Sequence, residues 1–347
     1  MHDSSEEPVE AKPVQRAIPR LTPSPIIETT WAFAQSCILL AAVELDLFTR
    51  IAQGMNTPGI LAHHAEASEN ALRRLLAALS VMGFLQRNGD NYTLTPLSER
   101  FLVRSQKSYM GDVVLQNRQE WDAWIHLSDV VRTGQAVRFI NEEPLGGPFF
   151  APLDEYLFPL IHPLMHMICQ RLEVGSHPRG MQVLDLGAGT APGAIAALEL
   201  NADAHAVAVD FPEALARAQV YARNHGVDNR LEYWPAQLET IELPPRRFDL
   251  IFVSHVFRIL GEEHTQRLIH QCYHSLTPGG RMVVIETYNE QGTKLFPYIV
   301  SLNMLVNTRN GDTFTSQQMQ EWLSTAAFQI EAWPNVGPDL VLVATRP

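Results

Sequence analysis

The chain has 347 residues, 46% of them hydrophobic, which is more than one ordinary core needs, so two domains are expected. With 26 Lys and Arg against 38 Asp and Glu, the formal net charge of −12 argues against a polyanionic partner such as nucleic acid, because no concentrated basic surface exists to release counterions. The 3 cysteines, Cys37, Cys169 and Cys272, lie far apart and point to a reducing compartment rather than a disulfide framework.

Residues 1–22, with Glu6, Glu7, Pro8, Glu10, Pro13 and Pro19, read as a disordered, solvated tail that cannot bury enough apolar area to order itself. The first residues are acidic and proline-bearing where a secretory signal is basic and then apolar. No apolar run is expected to reach membrane-spanning length, so the sequence predicts a soluble, cytoplasmic protein with no membrane partner. From Trp31 to Ile51 the apolar positions fall at helical spacing and predict one helix with partners on more than one face. Thr57-Pro58 starts a second helix and Ser68 caps a third. Phe84–Arg87 and Asn91–Thr95 flank the turn Asn88-Gly89-Asp90 as a hairpin. Helix, helix, helix, hairpin is a winged helix, assigned to residues 23–108. Winged helices often read DNA, but here Arg73, Arg74, Arg87, Arg100 and Arg104 are nearly balanced by Glu66, Glu69, Asp90 and Glu99, and no basic stripe marks a recognition helix.

Residues 109–175 read as connecting helices. Trp121, Trp124, Phe149, Phe150, Tyr156 and Phe158 give them an aromatic character that suits a flat, hydrophobic substrate, or ordinary packing. His162, His166 and Cys169 share one helical face. That spacing could hold a metal, but no partner ligand is obvious elsewhere in the sequence and none is expected; the two histidines are candidates for a general base, against the plainer reading that they line a packed helix.

Residues 176–347 carry the most informative stretch. Val183-Leu184-Asp185-Leu186 reads as a buried strand, Gly187-Ala188-Gly189 as a turn of close backbone approach, and Pro192 as the first turn of a helix. A second strand, Ala204–Val209, ends in Asp210, where an acid is placed to accept both ribose hydroxyls of an adenosine. Phe248–Ser254 gives a fourth strand, and Leu276-Thr277-Pro278-Gly279-Gly280-Arg281 leads into the strand Met282–Glu286.

This succession resembles the class I S-adenosylmethionine-dependent methyltransferases, and more closely the small-molecule enzymes of the caffeate and hydroxyindole O-methyltransferase type. Ala41–Phe48 is similar to their first-helix signature, Tyr92–Pro96 to their wing, and Asp210-Phe211-Pro212-Glu213 is typical of them. The resemblance covers about residues 25–347. It implies an α/β, Rossmann-like cofactor domain behind a helical, winged-helix dimerisation domain, a homodimer with exchanged first helices, and S-adenosylmethionine as cofactor with S-adenosylhomocysteine as product. It also implies that Asp185, Gly187 and Gly189 face the methionine part, Asp210 the ribose, and Gln237 the adenine, with Phe211 and Ser254 beside them. The connecting helices would roof the substrate, with Trp124 and Tyr156 in that roof, and Met304 and Asn307 would lie on the helix of the opposite wall, there to position the substrate or merely to pack.

The likeness breaks where the O-methylating members read His-Val-Leu-His-Asp-Trp, whose second His is the general base. This chain has His255-Val256-Phe257-Arg258-Ile259-Leu260. Arg258 stands at the base position and stays protonated, so it cannot take a proton from a phenol. Thr313 takes the place of the family's second acid, Asp312 reads as a turn residue, and His255 as a helix-packing histidine. Arg258 could stabilise an ionised acceptor, clamp a substrate carboxylate, or mark a fold that has lost methyl transfer. The expectation is methyl transfer to carbon, nitrogen or oxygen of a small aromatic or polycyclic metabolite. The rivals are a non-methylating step such as a cyclisation, dehydration or hydroxylation, and a ligand-responsive regulatory protein.

Overall fold

In the computed structural model the described residues are 21–177, 180–290, 294–336 and 339–347, without the side chains of Tyr156 and of residues 334–336. The tail assigned to residues 1–22 lies outside them apart from Leu21 and Thr22.

The N-terminal part is built from α1 (Ser24–Glu44), α2 (Leu47–Ala52), α3 (Pro58–His64) and α4 (Glu69–Val81), followed by the antiparallel hairpin β1 (Leu85–Asn88) and β2 (Asn91–Leu94), and α5 (Pro96–Phe101). Thr57 and Ser68 cap α3 and α4 through their hydroxyls, as their types and positions suggest. Leu47, Phe48, Leu61, Leu72, Leu76 and Tyr92 close a core of their own.

Two expectations fail here. The helix read over 31–51 is interrupted at Leu45-Asp46, where Asp46 takes a left-handed φ of 52° and its carboxylate accepts from Arg104 Nε at 3.2 Å. Aspartate tolerates that conformation, and a charge 58 positions along the chain holds it there. The second failure concerns length: α1 has 21 residues and a mean hydropathy of 1.5 over its apolar window, so by length and composition it is apolar enough to cross a membrane. It is largely exposed, with Trp31 and Phe33 each 64% accessible.

Short helices α6 (Gly111–Gln116), α7 (Arg118–Trp124) and α8 (Leu127–Thr133) lead into α9 (Gly146–Arg171), which runs through Pro152, Pro159 and Pro163. Each interior proline leaves the carbonyl four residues earlier without its helical donor. For Pro159 that carbonyl belongs to Glu155, and the Tyr221 hydroxyl donates to it at 3.2 Å. Although residues 109–175 read as one connecting segment, the second half of α9 packs as core: Met165, Ile168, Cys169 and Leu172 are buried against the sheet's helices.

The rest of the chain is a seven-stranded sheet in the order β5-β4-β3-β6-β7-β9-β8. Its elements are β3 (Gln182–Leu186), α10 (Pro192–Leu200), β4 (His205–Asp210), α11 (Pro212–Asn224), β5 (Leu231–Pro235), β6 (Phe248–Ser254), α12 (Phe257–Ser275), β7 (Leu276–Glu286), α13 (Leu295–Asn307), α14 (Ser316–Thr325), β8 (Gln329–Val336) and β9 (Asp339–Thr345). All pairings are parallel except those of β9. Period-two alternation divides the strands between two cores: Val183, Ala208, Leu250, Phe252 and Val283 face α9 and α10, while Leu184, Val209, Ile251, Val253 and Met282 face α12 and α14. The chain passes from β3 outward to β4 and later returns to pair β6 on β3's other side, so the carboxyl ends of β3 and β6 diverge over a crevice.

Candidate active site

That crevice opens into a cavity of about 640 Å³, within the range usual for a small-molecule site. Asp185, Gly187, Asp210, Phe211, Ser254 and Arg258, all singled out from the sequence, line it together. Because β9 is antiparallel, its first residue, Asp339, reaches the same edge.

Gly187 and Gly189 adopt φ of 62° and 56°, the left-handed region that favours glycine. A Cβ on Gly187 would sit 2.3 Å from Val256 Cγ2, and one on Gly189 2.6 Å from Asp154 Cγ. The turn is held by Asp210, whose Oδ2 accepts from the Gly189 N–H at 2.8 Å and whose Oδ1 accepts from the Phe211 N–H at 2.7 Å. Asp185 accepts from the Ala194 N–H at 2.9 Å, meeting an otherwise orphaned donor in the first turn of α10. Burial nevertheless pushes the Asp185 carboxyl up to about 7. Asp154, from α9, is a member of this cluster that the sequence did not reveal. Burial first, and the facing Asp210 second, raise its pKa well above the carboxylate range.

Arg258 lies in the single helical turn between β6 and Gly261, whose φ of 76° breaks α12. Its Nη1 donates to Thr287 Oγ1 at 3.4 Å and lies 3.9 Å from Glu286 Oε2, while its backbone N–H donates to Glu286 Oε1 at 3.3 Å. Burial raises the Glu286 pKa even though Arg258 and His255 oppose it. His255 is not a helix-packing residue. With φ of 59° it turns its ring into the cavity wall at the end of β6, Nδ1 3.0 Å from Ser254 Oγ and Nε2 3.2 Å from Asp339 Oδ2. Thr287 Oγ1 donates to the other oxygen of Asp339 at 2.6 Å. Burial works against the Asp339 charge, but His255, Thr287 and Arg258 together hold its pKa below the usual carboxylate value. Asp312 lies in an irregular segment rather than a turn; its carboxylate accepts from the Thr313 N–H and its own N–H donates to the Arg258 carbonyl, and Thr313 is buried beneath α13.

Other sequence candidates lie elsewhere. His162 faces away from the cavity, its Nε2 2.9 Å from Glu199 Oε2, and His166 is not on the cavity wall, so neither serves as a base there. α9 directs Asp154, Leu157 and Phe158 inward instead. The face shared by His162, His166 and Cys169 does not converge on a metal, because Cys169 is wholly buried in the core with its thiol pushed up to about 12 by burial and by Asp185. Trp124, Met304 and Asn307 do not line the cavity. Trp124 Nε1 donates to Asn303 Oδ1 at 2.8 Å, Asn307 is bridged to Glu120, Asn303 and Arg138, and Met304 is buried beside them, so this wall is a latch joining α7 to α13. Gln237 is bordered by cavity residues Ala236 and Leu238 but is not itself among them. The side chain of Tyr156 lies outside the described residues.

Residues 183–280 match a methyltransferase domain, and residues 27–104 match the O-methyltransferase dimerisation domain. The chain is an S-adenosylmethionine-dependent methyltransferase. It is 27% identical over 341 residues, 94% of this chain and 97% of the relative, to the tetracenomycin polyketide synthesis 8-O-methyltransferase TcmO of Streptomyces glaucescens. The fold also matches a crystal structure assigned as an O-methyltransferase from Nostoc punctiforme, with a TM-score of 0.83 at 25% identity over 94% of this chain and 99% of that one. Human N-acetylserotonin methyltransferase in complex with S-adenosylmethionine matches with a TM-score of 0.77 at 22% identity over 93% and 97%. The methyltransferase's cradle fits this cofactor on its own chemistry: the Gly187 turn lines the cavity beside Asp210, whose oxygens keep a second lone pair each for hydroxyl donors.

The buried carboxyls give the ligand-free protein a definite pH dependence. Asp185 titrates near 3.8 when unfolded and near 7 when folded, so between these values the folded state binds more protons and stability falls as pH rises. Chemical unfolding of the ligand-free protein should show a loss on the order of a few kcal/mol over this window, and Asp185→Asn should make it shallower, with the remainder left by Asp154 and Asp210. Identical pH profiles for the two proteins would remove Asp185 from this account.

Proposed function

We propose that the enzyme methylates a hydroxyl oxygen on a polycyclic aromatic metabolite of the polyketide type. The observation that carries this reading is the pair of groups on one cavity wall: a guanidinium, Arg258, that can hold an oxyanion, and a His255–Asp339 pair that can hold the proton removed to form it. The likeness to the tetracenomycin enzyme supports an oxygen acceptor. The apolar side chains Phe150, Leu153, Leu157, Leu160 and Phe296 suit a flat ring system.

When bound, S-adenosylmethionine supplies an electrophilic methyl group on a sulfonium. The chain's own residues do the rest. With the Nε2–H of His255 donated to Asp339, the Nδ1 lone pair faces the Ser254 hydroxyl. A proton leaving the acceptor hydroxyl moves to Ser254 Oγ as the Ser254 proton moves to Nδ1, and the resulting imidazolium is stabilised by Asp339. Arg258 takes over the negative charge left on the acceptor oxygen. A phenol held this way is aligned as its anion, which does the work that the histidine at position 258 does in the relatives' pattern.

The test is steady-state methylation of hydroxylated anthraquinones and naphthacenes across pH. His255→Asn should lower kcat by about 10²–10⁴-fold near neutrality and recover at high pH, where the phenol ionises unaided. Arg258→Lys should keep part of the activity and Arg258→Ala very little. Unchanged kcat in both His255→Asn and Arg258→Ala would refute the mechanism, and turnover without a methylated product would favour the non-methylating reading.

We further propose that the working form is a cytoplasmic homodimer. The dimerisation-domain match and the uncovered apolar face of α1, with Ile26, Trp31 and Phe33 in water, support it. Sedimentation should give twice the chain mass, and the double substitution Trp31→Asp, Phe33→Asp should yield monomers; a wild-type monomer would contradict the assignment.

A further inference from the structure

On the side of α9 turned away from the cavity, three potential metal ligands from three successive helical elements meet. His162 comes from α9, Glu199 from the end of α10, and His225 from the residue that closes α11. His162 Nε2 lies 2.9 Å from Glu199 Oε2, and His225 Nδ1 lies 2.7 Å from Glu199 Oε1. All three ligand atoms fall within 4.8 Å of one another. The two imidazole rings have centroids 4.9 Å apart, and Phe158 stacks on His162 at 5.0 Å, which limits the directions in which these rings can turn.

We propose that His162, Glu199 and His225 form a binding site for a divalent transition metal, zinc in the first instance, that staples α9 to α10 and α11. A tetrahedral ion with ligands at about 2.0–2.1 Å needs donor atoms about 3.3 Å apart, and small rotations of the three side chains close the present spacing to that value. Two imidazole nitrogens and one carboxylate oxygen form a donor set that suits zinc, cobalt or nickel, whereas calcium and magnesium require more oxygen ligands. The fourth position faces solvent and takes water. The site is separate from the methyl-transfer cavity and independent of the reading given to it, but the elements it joins are those that frame the cofactor cradle: α9 carries Asp154, α10 follows the glycine turn, and α11 follows Asp210 and Phe211. A metal here therefore fixes the roof of that cradle to its floor.

The site was concealed in the sequence because its ligands are 37 and 26 positions apart, with none of the short spacings that mark zinc motifs. The test uses untagged, chelator-treated protein carrying His270→Gln, since His270 and His274, with Nε2 atoms 3.2 Å apart, form a competing pair on α12. Titration with cobalt should develop visible absorption that saturates at one cobalt per chain and is displaced by zinc. His162→Gln, Glu199→Gln and His225→Gln should each weaken cobalt binding by about tenfold or more, while His166→Gln leaves it unchanged. Zinc should raise the unfolding temperature of the parent and not that of Glu199→Gln, whose circular dichroism reports whether it is folded. Absence of the cobalt absorption, or affinities that are equal in the parent and in Glu199→Gln and His225→Gln, would overturn the proposal and leave the trio as a hydrogen-bonded cluster only.

Discussion

The site depends on one carboxylate. Asp210 closes β4 and spends both oxygens on backbone N–H groups, one from Gly189 in the turn after β3 and one from Phe211 in the turn after β4. Those bonds lock two neighbouring strand ends into one rim. They also force the glycine turn into its left-handed conformation, which only residues without a Cβ adopt here, because Val256 and Asp154 occupy the space a side chain would need. Everything downstream inherits this geometry: α10 starts where the turn releases the chain, Asp185 caps it, and the crevice between β3 and β6 becomes a cavity.

The cavity pairs two unlike electrostatic regions. Around the turn, Asp154, Asp185 and Asp210 are buried without a cation beside them, so burial raises their pKa values, to about 7 for Asp185 and about 6 for Asp210. Across the cavity, Arg258, His255, Asp339 and Thr287 form a linked network in which Asp339 stays ionised. An arginine stays protonated and cannot act as a base, so on the proposed mechanism the proton leaves through the neighbouring His255 ring.

Much of this architecture was legible in the sequence for physical reasons. Strands buried on both faces show as unbroken apolar runs, and Gly187, Gly189 and Asp210 sit at spacings that a phosphate- or ribose-binding turn requires. What failed to show was whatever depends on tertiary order. Asp339 joins the site only because β9 runs antiparallel beside β7, and Asp154 only because α9 continues through prolines that would ordinarily signal its end. His162 and His166 looked like pocket residues because periodicity reveals that they share a face but not which way the face points. Trp124 was read as roofing the substrate or as ordinary packing, and Met304 and Asn307 as positioning it or merely packing; the hydrogen bonds from Trp124 to Asn303 and from Asn307 to Glu120 favour packing, because they fasten α7 to α13.

The most direct test of the central role of Asp210 is calorimetric binding of S-adenosylhomocysteine to the wild-type protein and to Asp210→Asn. The amide can still accept from Gly189 or Phe211 but loses the charge and one acceptor, so binding should be clear in the wild type and weaker by about tenfold or more in the variant. Equal affinity in the two proteins, or no binding to either, would contradict the account of the cavity as a cofactor cradle organised by this residue.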